Sequence, residues 1–394
     1  MTSTISWLDI STDEQRRMRE LAALFTQRES RDELGLGQIR DGISDALFPG
    51  TSTLHTRARY LLFVPWCFQL AARAKPEQRS RRLDDLERSI IRPLRESSDL
   101  SGLLGLVAGT SLKNLPSSVY WSMLQRYEIL AHPASRVQAL AESAPNRRVD
   151  DDGDVTSVSI WSVPPAPAAF PDEIPGGFAL TRDEAGWLRD RILEHASGTL
   201  LAHLARFRPD ADSSAAWEDA AALAAPERAV AVLRHAEDFS TIMHGAQLLY
   251  NFLLASDADR LDVREESLVD VYRDRLTAWA STVTDRTRAW RLDDLLATLR
   301  AEPGDALVIA PGAQAFVRDW STLVQHHPAE SLIDLPEAQN LIRRRERIKG
   351  AKMRLGNSRR LASWSGASGS ARLTYRWDNV RRILTDLHEG LQRA

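Results

Sequence analysis

The chain has a single cysteine, Cys67, in 394 residues. No intrachain disulfide can form, and zinc patterns that need two cysteines are excluded. Cys67 sits in the apolar stretch Val64-Pro65-Trp66-Cys67-Phe68, where a cysteine acts as a small hydrophobe. Such sparing cysteine use fits a reducing compartment. No apolar run approaches the ~18 residues needed to span a bilayer. The opening Met1-Thr2-Ser3-Thr4-Ile5-Ser6-Trp7 lacks the basic start and apolar run of a signal peptide. The expectation is a soluble, cytoplasmic protein with no membrane partner.

Catalytic signatures are also missing. There is no G-x-x-x-x-G-K-[ST], no G-x-G-x-x-G between strand and helix, no H-E-x-x-H and no G-x-S-x-G. Asp150 to Asp154 resemble half of a calcium loop, but the glycine and glutamate positions do not match. His326 and His327 are adjacent, so both cannot ligate one metal from one helix face. No catalytic residue, metal ligand or cofactor is assigned. The less favoured reading of a nuclease or small-molecule-sensing enzyme in the helical body has no motif behind it.

What the chain does have is an acidic body and a basic C-terminal end. Residues 341–394 carry fourteen Lys/Arg against four Asp/Glu, whereas the first 340 carry 37 against 50. An acidic body with a basic end points to a polyanionic partner such as nucleic acid.

Apolar spacing of three or four residues dominates and predicts a mainly α multi-helical array. It would carry a basic C-terminal helix and at most a short strand element. Ser11 to Glu14 and Thr181 to Glu184 have the form of capping boxes. Phe48-Pro49-Gly50-Thr51-Ser52 reads as a turn, with Thr51 or Ser52 capping a helix that runs through Tyr60 and kinks at Pro65. Trp7, Leu34, Ile39, Leu47, Phe48 and Tyr60 are expected to share one local core. Further helices are expected from Pro116, and over 216–237, 239–255, 265–283, 291–301 and 313–326. Residues 372–377 alternate like a short strand, and Asp378 could cap a last helix.

The expected organisation is a helical domain over 1–143, an Asp/Pro-rich linker or pinned extended segment over 144–179, a central helical domain over 180–330 and a basic region over 331–394. Trp161, Phe170 and Phe178 would pin the proline-rich segment to a domain surface.

Four groups of residues are candidates for function. The first is a helix from Pro336 to about Leu355, with an apolar seam at Leu341, Ile348 and Leu355. It bears Arg343, Arg344, Arg345, Arg347, Lys349, Lys352 and Arg354, seven basic residues in twelve, followed by Arg359 and Arg360. Lys and Arg hold phosphates by charge and release counterions. The competing reading is a strap docked on the acidic body or on a protein partner. Arg376 is grouped with these cations. The second is the loop Trp364 to Ser370, whose glycines could expose N–H groups to a phosphate or form an ordinary turn.

The third is Arg40 with Arg57 and Arg59, beside a superficial helix-turn-helix pattern. At most one of Arg57 and Arg59 should face the core, paired there with Asp41 or Asp45. The fourth is His244, Gln247 and Asn251 on one helix face, lining a ligand pocket or, more in keeping with buried polar groups, a hydrogen-bond network.

Several motifs together resemble a bacterial family known only as a domain of unknown function. They are Trp7-Leu8-Asp9, Glu33-Leu34-Gly35-Leu36-Gly37, Ile39-Arg40-Asp41, Leu47 to Thr53, Thr56 to Tyr60, Ser363-Trp364, Gly366 and Tyr375-Arg376-Trp377. The resemblance spans the chain. Members of that family occur near helicase and phospholipase-D-like nuclease genes in phage-defence regions. The resemblance therefore implies an accessory subunit acting with helicase or nuclease partners on DNA rather than RNA, and it supplies no catalytic residues. The alternative is a protein-interaction scaffold whose basic region docks an acidic partner or its own body.

Overall fold

A computed structural model of the chain describes residues 32–144, 147–149, 155–157, 159–300 and 308–393. Trp7, the first capping box and the Asp150 to Asp154 stretch lie outside the described residues. The architecture is mainly helical. Its longer helices are α1 (Gly37–Leu47), α2 (Tyr60–Ala71), α3 (Arg79–Ser89), α4 (Pro116–Arg126), α5 (Arg182–His195), α6 (Glu227–Arg260), α7 (Val269–Ala280), α8 (Leu292–Arg300), α9 (Pro311–His326), α10 (Pro336–Arg347) and α11 (Trp377–Leu391). The strands among the described residues are β1 (Arg147–Val149) and β2 (Val155–Ser157). They pair antiparallel with Arg147 opposite Ser157.

The chain forms two compact units, each assembled from separated stretches. The first comprises Met1–Gly42 and His235–Leu373, the second Ile43–Arg234 and Thr374–Ala394. This differs from a division into consecutive segments, because α1 and α6 each run from one unit into the other. The two helices expected over 216–237 and 239–255 are one helix from residue 227, with no breaker between them. Its middle is buried nearly all round, including Phe239, Ile242, Met243, Leu248, Leu249 and Leu254, as a stretch with apolar residues on all its faces must be. Gly245 allows α7 to come close. A Cβ there would lie 2.2 Å from the Trp279 ring, whose Nε1 donates to Thr241 O at 2.7 Å.

In the second unit, local signals act as expected at several places. Pro116 opens α4. Thr181 and Glu184 form a full capping box on α5. Gly50 has φ of +75°, a region favouring glycine, and a Cβ there would lie 2.9 Å from Arg126 Cβ. Neither Thr51 nor Ser52 caps a helix, however. Thr51 Oγ1 donates to Phe48 O, and Ser52 Oγ accepts from Leu54 N. Turns continue to Arg59, and α2 starts at Tyr60. Leu34, Ile39, Leu47, Phe48 and Tyr60 are all buried, but they divide between the units. Phe48 lies against Trp377, and Tyr60 against Tyr120 and Phe178.

The proline-rich segment is pinned along α2. Phe170 meets Trp66 and Phe63, Trp161 meets Phe68, and Trp66 Nε1 donates to Pro164 O at 2.7 Å. Residues 372–377 are not a strand. Tyr375 and Arg376 take φ of 52° and 69° and turn the chain into α11. Asp378 lies inside that helix, and the N-cap position is Arg376 without a side-chain cap. Val380, Ile383, Leu384 and Leu387 face inward as their spacing predicts. Gly390 brings α11 against α5, where a Cβ would lie 2.7 Å from Ala185 Cβ.

Candidate nucleic-acid interface

The basic segment belongs to the first unit. Pro336, pre-set for a first helical turn, opens α10, and Ala338, Leu341 and Ile342 are its buried face. The helix stops at Arg347, about two turns before the expected end. Ile348 is its C-cap, and Gly350 takes φ of +55°. A 3-10 turn, Gly350–Lys352, and a short helix, Ser358–Leu361, follow. The seam also fails at its middle. Leu341 and Leu355 are buried, but Ile348 is 73% exposed.

Three of the nine cations between residues 343 and 360 are internal. Arg345 donates from Nε to Leu34 O at 2.7 Å and from Nη1 to Gly312 O, with its guanidinium over the Phe316 ring. Burial lowers its pKa, against the opposing pull of Asp32. Lys349 Nζ lies 2.5 Å from both Glu33 Oε2 and Glu346 Oε2 and stacks over Tyr250. Arg354 pairs with Glu33 and donates to Ser368 Oγ. Burial alone would lower the Arg354 pKa, but Glu33 and Tyr250 more than offset it and raise it. Tyr250 is itself pushed far up by burial and by the Glu33 and Glu346 charges. The strap reading holds for these three residues.

The others turn outward. Arg344, Arg347, Lys352, Arg359 and Arg360 are exposed, and their side chains have no hydrogen-bond or ion-pair partner among the described residues. Arg343 is half-buried and donates to Gln339 Oε1 at 3.0 Å. From Ala338 to Trp377 the only acid is Glu346. It is fully buried and accepts from Arg354 N at 2.6 Å.

The Trp364 to Ser370 loop is held from below by side chains of α6 and α7. Asn251 donates from Nδ2 to Ser368 O at 2.8 Å, and its Oδ1 accepts from Ser368 N at 2.9 Å. His244 Nε2 donates to Ser370 O, as does Arg275 Nη2. Tyr272 donates to Gly366 O at 2.5 Å. His244 and Asn251 therefore form a buried polar network, and the Ser368 N–H is not available to a phosphate. Gln247 contributes its backbone carbonyl to Asn251 Nδ2, while its buried side-chain Oε1 has no partner among the described residues. Burial drives the His244 pKa down to about 4, opposed by its bond to Ser370 and aided by Arg275 and Arg372.

The remaining arginines serve the fold. Arg40 pairs with its neighbour Asp41 at 3.1 Å. Arg57 and Arg59 are both buried, because they reach different partners and neither uses Asp41 or Asp45. Arg57 grips Asp386 from Nε and Nη2, pairs with Asp99, and lies over Phe178. Burial would lower its pKa, but the two carboxylates more than compensate and raise it. Arg59 donates to Pro175 O and Gly177 O at 2.7 Å and to Glu184 Oε1 at 2.9 Å. With residues 51–59 in turns, no helix-turn-helix forms. Arg376 bonds Asp45 and Thr51 O at 2.6 Å each, so it is not part of the basic surface.

Sequence reasoning missed a cleft of about 610 Å³ in the second unit, lined by Arg57, Glu96, Asp99, Asp172, Glu173 and Glu389 among others. Its carboxylates come from three separate stretches and left no local pattern to find. Their charge does not suit a polyanion. Among the described residues, no group of three or more His, Cys, Asp or Glu is placed to hold a metal ion. None of their helices is long and apolar enough to cross a membrane.

No curated protein and no solved structure matches the chain. A family model does match, over residues 2–390, and it is described as a family of unknown function. That match covers nearly the whole sequence, so the chain with this one-sided basic surface belongs to the DUF6361 family.

Proposed function

We propose that the protein binds nucleic acid, DNA rather than RNA, through the exposed basic surface of residues 343–360. It would act as a non-catalytic accessory subunit beside helicase or nuclease partners, the phage-defence role that the family resemblance implies. One observation carries this reading. Over the forty residues from Ala338 to Trp377 every exposed charge is positive, and five of those cations have no partner among the described residues. Like charges held close together on a fixed segment repel, and phosphates relieve that repulsion. The Lys349 and Arg354 pairs with Glu33 anchor the segment beneath.

The test is duplex DNA binding by the full chain at several salt concentrations. A log–log slope of about −0.9 per neutralised phosphate is expected, so roughly −4 to −5 for five contacts. Replacing Arg344, Arg347, Lys352, Arg359 and Arg360 by Gln should flatten the slope. It should weaken different sequences about equally, since backbone contacts carry no sequence information. Absence of wild-type binding at low salt would defeat the proposal. The scaffold reading draws support from Arg345, Lys349 and Arg354, which already dock on the protein itself. It would prevail if the same surface bound an acidic protein and not DNA.

A further inference from the structure

Ile348 stands out within the basic surface. It is the large apolar side chain between Ala338 and Trp377 that faces solvent, at 73% exposure. Arg344 lies one turn before it, Arg347 beside it and Lys352 four residues after it, and all three are exposed. The fold has a clear reason for turning it out. Lys349 is drawn inward to Glu33 and Glu346, and the chain leaves the helix after Arg347 and turns at Gly350 with positive φ. The residue before Lys349 therefore points away from the core. Its backbone is held by an ion-paired neighbour, and its β-branched side chain is stiff at χ1. A rigid apolar tip of this kind loses little entropy on contact.

An apolar tip whose exposed charged neighbours along the segment are all cations fits a partner that is anionic outside and apolar inside. Duplex nucleic acid has that character, with phosphates along its edges and sugar and base surfaces within the groove. Proteins that use the minor groove insert side chains such as Ile, Leu, Phe or Met against a base step. Resting on the nucleic-acid reading above, we propose that Ile348 is the groove contact of this interface. It enters the minor groove of duplex DNA against a base step, while Arg344, Arg347 and Lys352 take the flanking phosphates.

This makes Ile348 and the cations separable. The cations set the salt slope, and Ile348 adds a contact that salt does not screen. The experiment compares wild type with Ile348→Ala on an end-labelled duplex, reading affinity at two salt concentrations together with energy transfer between the DNA ends. Ile348→Ala should bind about tenfold more weakly at both, as expected for losing a buried aliphatic contact. The salt slope should stay unchanged, and any bending seen with wild type should be lost. Its melting temperature should match wild type, because the side chain is exposed.

Equal affinity for wild type and Ile348→Ala would overturn the groove contact and leave the basic-surface reading standing. No duplex binding by wild type at low salt would overturn both. A parallel measurement uses vesicles of phosphatidylserine and phosphatidylcholine. Loss of vesicle binding in Ile348→Ala, with duplex binding intact, would overturn the proposal in favour of a lipid surface.

Discussion

Arg57 and Arg59 stand two residues apart on an irregular stretch, and both are buried. Arg344 and Arg347 stand three apart on a helix, and both face water. The four have the same chemistry. They differ in whether the fold supplies an anion. Asp386 and Asp99 close on Arg57, Glu184 and two carbonyls close on Arg59, and no such group among the described residues reaches Arg344 or Arg347. Lys349 and Arg354 show the intermediate case, partly exposed yet tied to Glu33. Density of positive charge therefore does not tell which cations face solvent, whereas the placement of carboxylates does.

The sharpest way to break that contrast is Arg57→Ala. It leaves Asp386 buried without its partner, and it should cost roughly 3–5 kcal/mol, as removal of one member of a buried pair does. Urea denaturation measures it, and a loss under about 1 kcal/mol would place Arg57 with the surface arginines. Glu33→Gln comes next. It removes the anion shared by Lys349 and Arg354, whose side chains are only 20% and 21% exposed, and should cost about 2 kcal/mol by loss of charge-assisted hydrogen bonds.

A pH series sharpens the picture of the loop network in the same unit. His244 is held neutral, with a pKa of about 4 against 6.5 for the free side chain. Between those values the unfolded chain binds a proton that the folded chain refuses. Stability should therefore be full above about pH 6.5 and fall as pH drops toward 4. His235 and His388, also lowered chiefly by burial, act in the same direction. His244→Asn should flatten part of that decline in thermal melts across the series. A decline of unchanged steepness would remove His244 as a cause. The smallest effect belongs to the outward cations. Each single Gln substitution at Arg344, Arg347, Lys352, Arg359 or Arg360 should change stability by no more than about 0.5 kcal/mol, and a larger loss would identify that residue as another strap.

Features set by near neighbours were legible in the sequence. The Thr181 to Glu184 capping box, Pro116 at a helix start and the Gly50 turn each depend on atoms a few residues away. The fate of the arginines was not legible. Asp41 and Asp45 were the nearby acids, but Arg57 uses a carboxylate 329 residues away and Arg59 one 125 away. The helix end at Arg347 escaped for the same reason. Leu341, Ile348 and Leu355 repeat at a helical period, yet Lys349 answers to Glu33, 316 positions earlier. For the candidate site, the sequence located the cluster of cations and left open which of them face solvent. The polar network under the Ser/Gly loop was half visible, as His244 and Asn251 on one face. Its other half, the carbonyls of Gly366, Ser368 and Ser370, has no sequence signature.

Glu184 carries a consequence of its own. One carboxylate oxygen accepts from Thr181 N at the start of its helix, and the other accepts from Arg59, each at 2.9 Å. The first contact fixes where α5 begins, and the second fixes which way it is turned. Advancing the helix by one residue would swing the side chain through about 100° and lose both contacts together. A single side chain thus acts as an alignment key, setting the phase of α5 about its own axis and so deciding that Ala185, rather than a bulkier neighbour, is presented to Gly390.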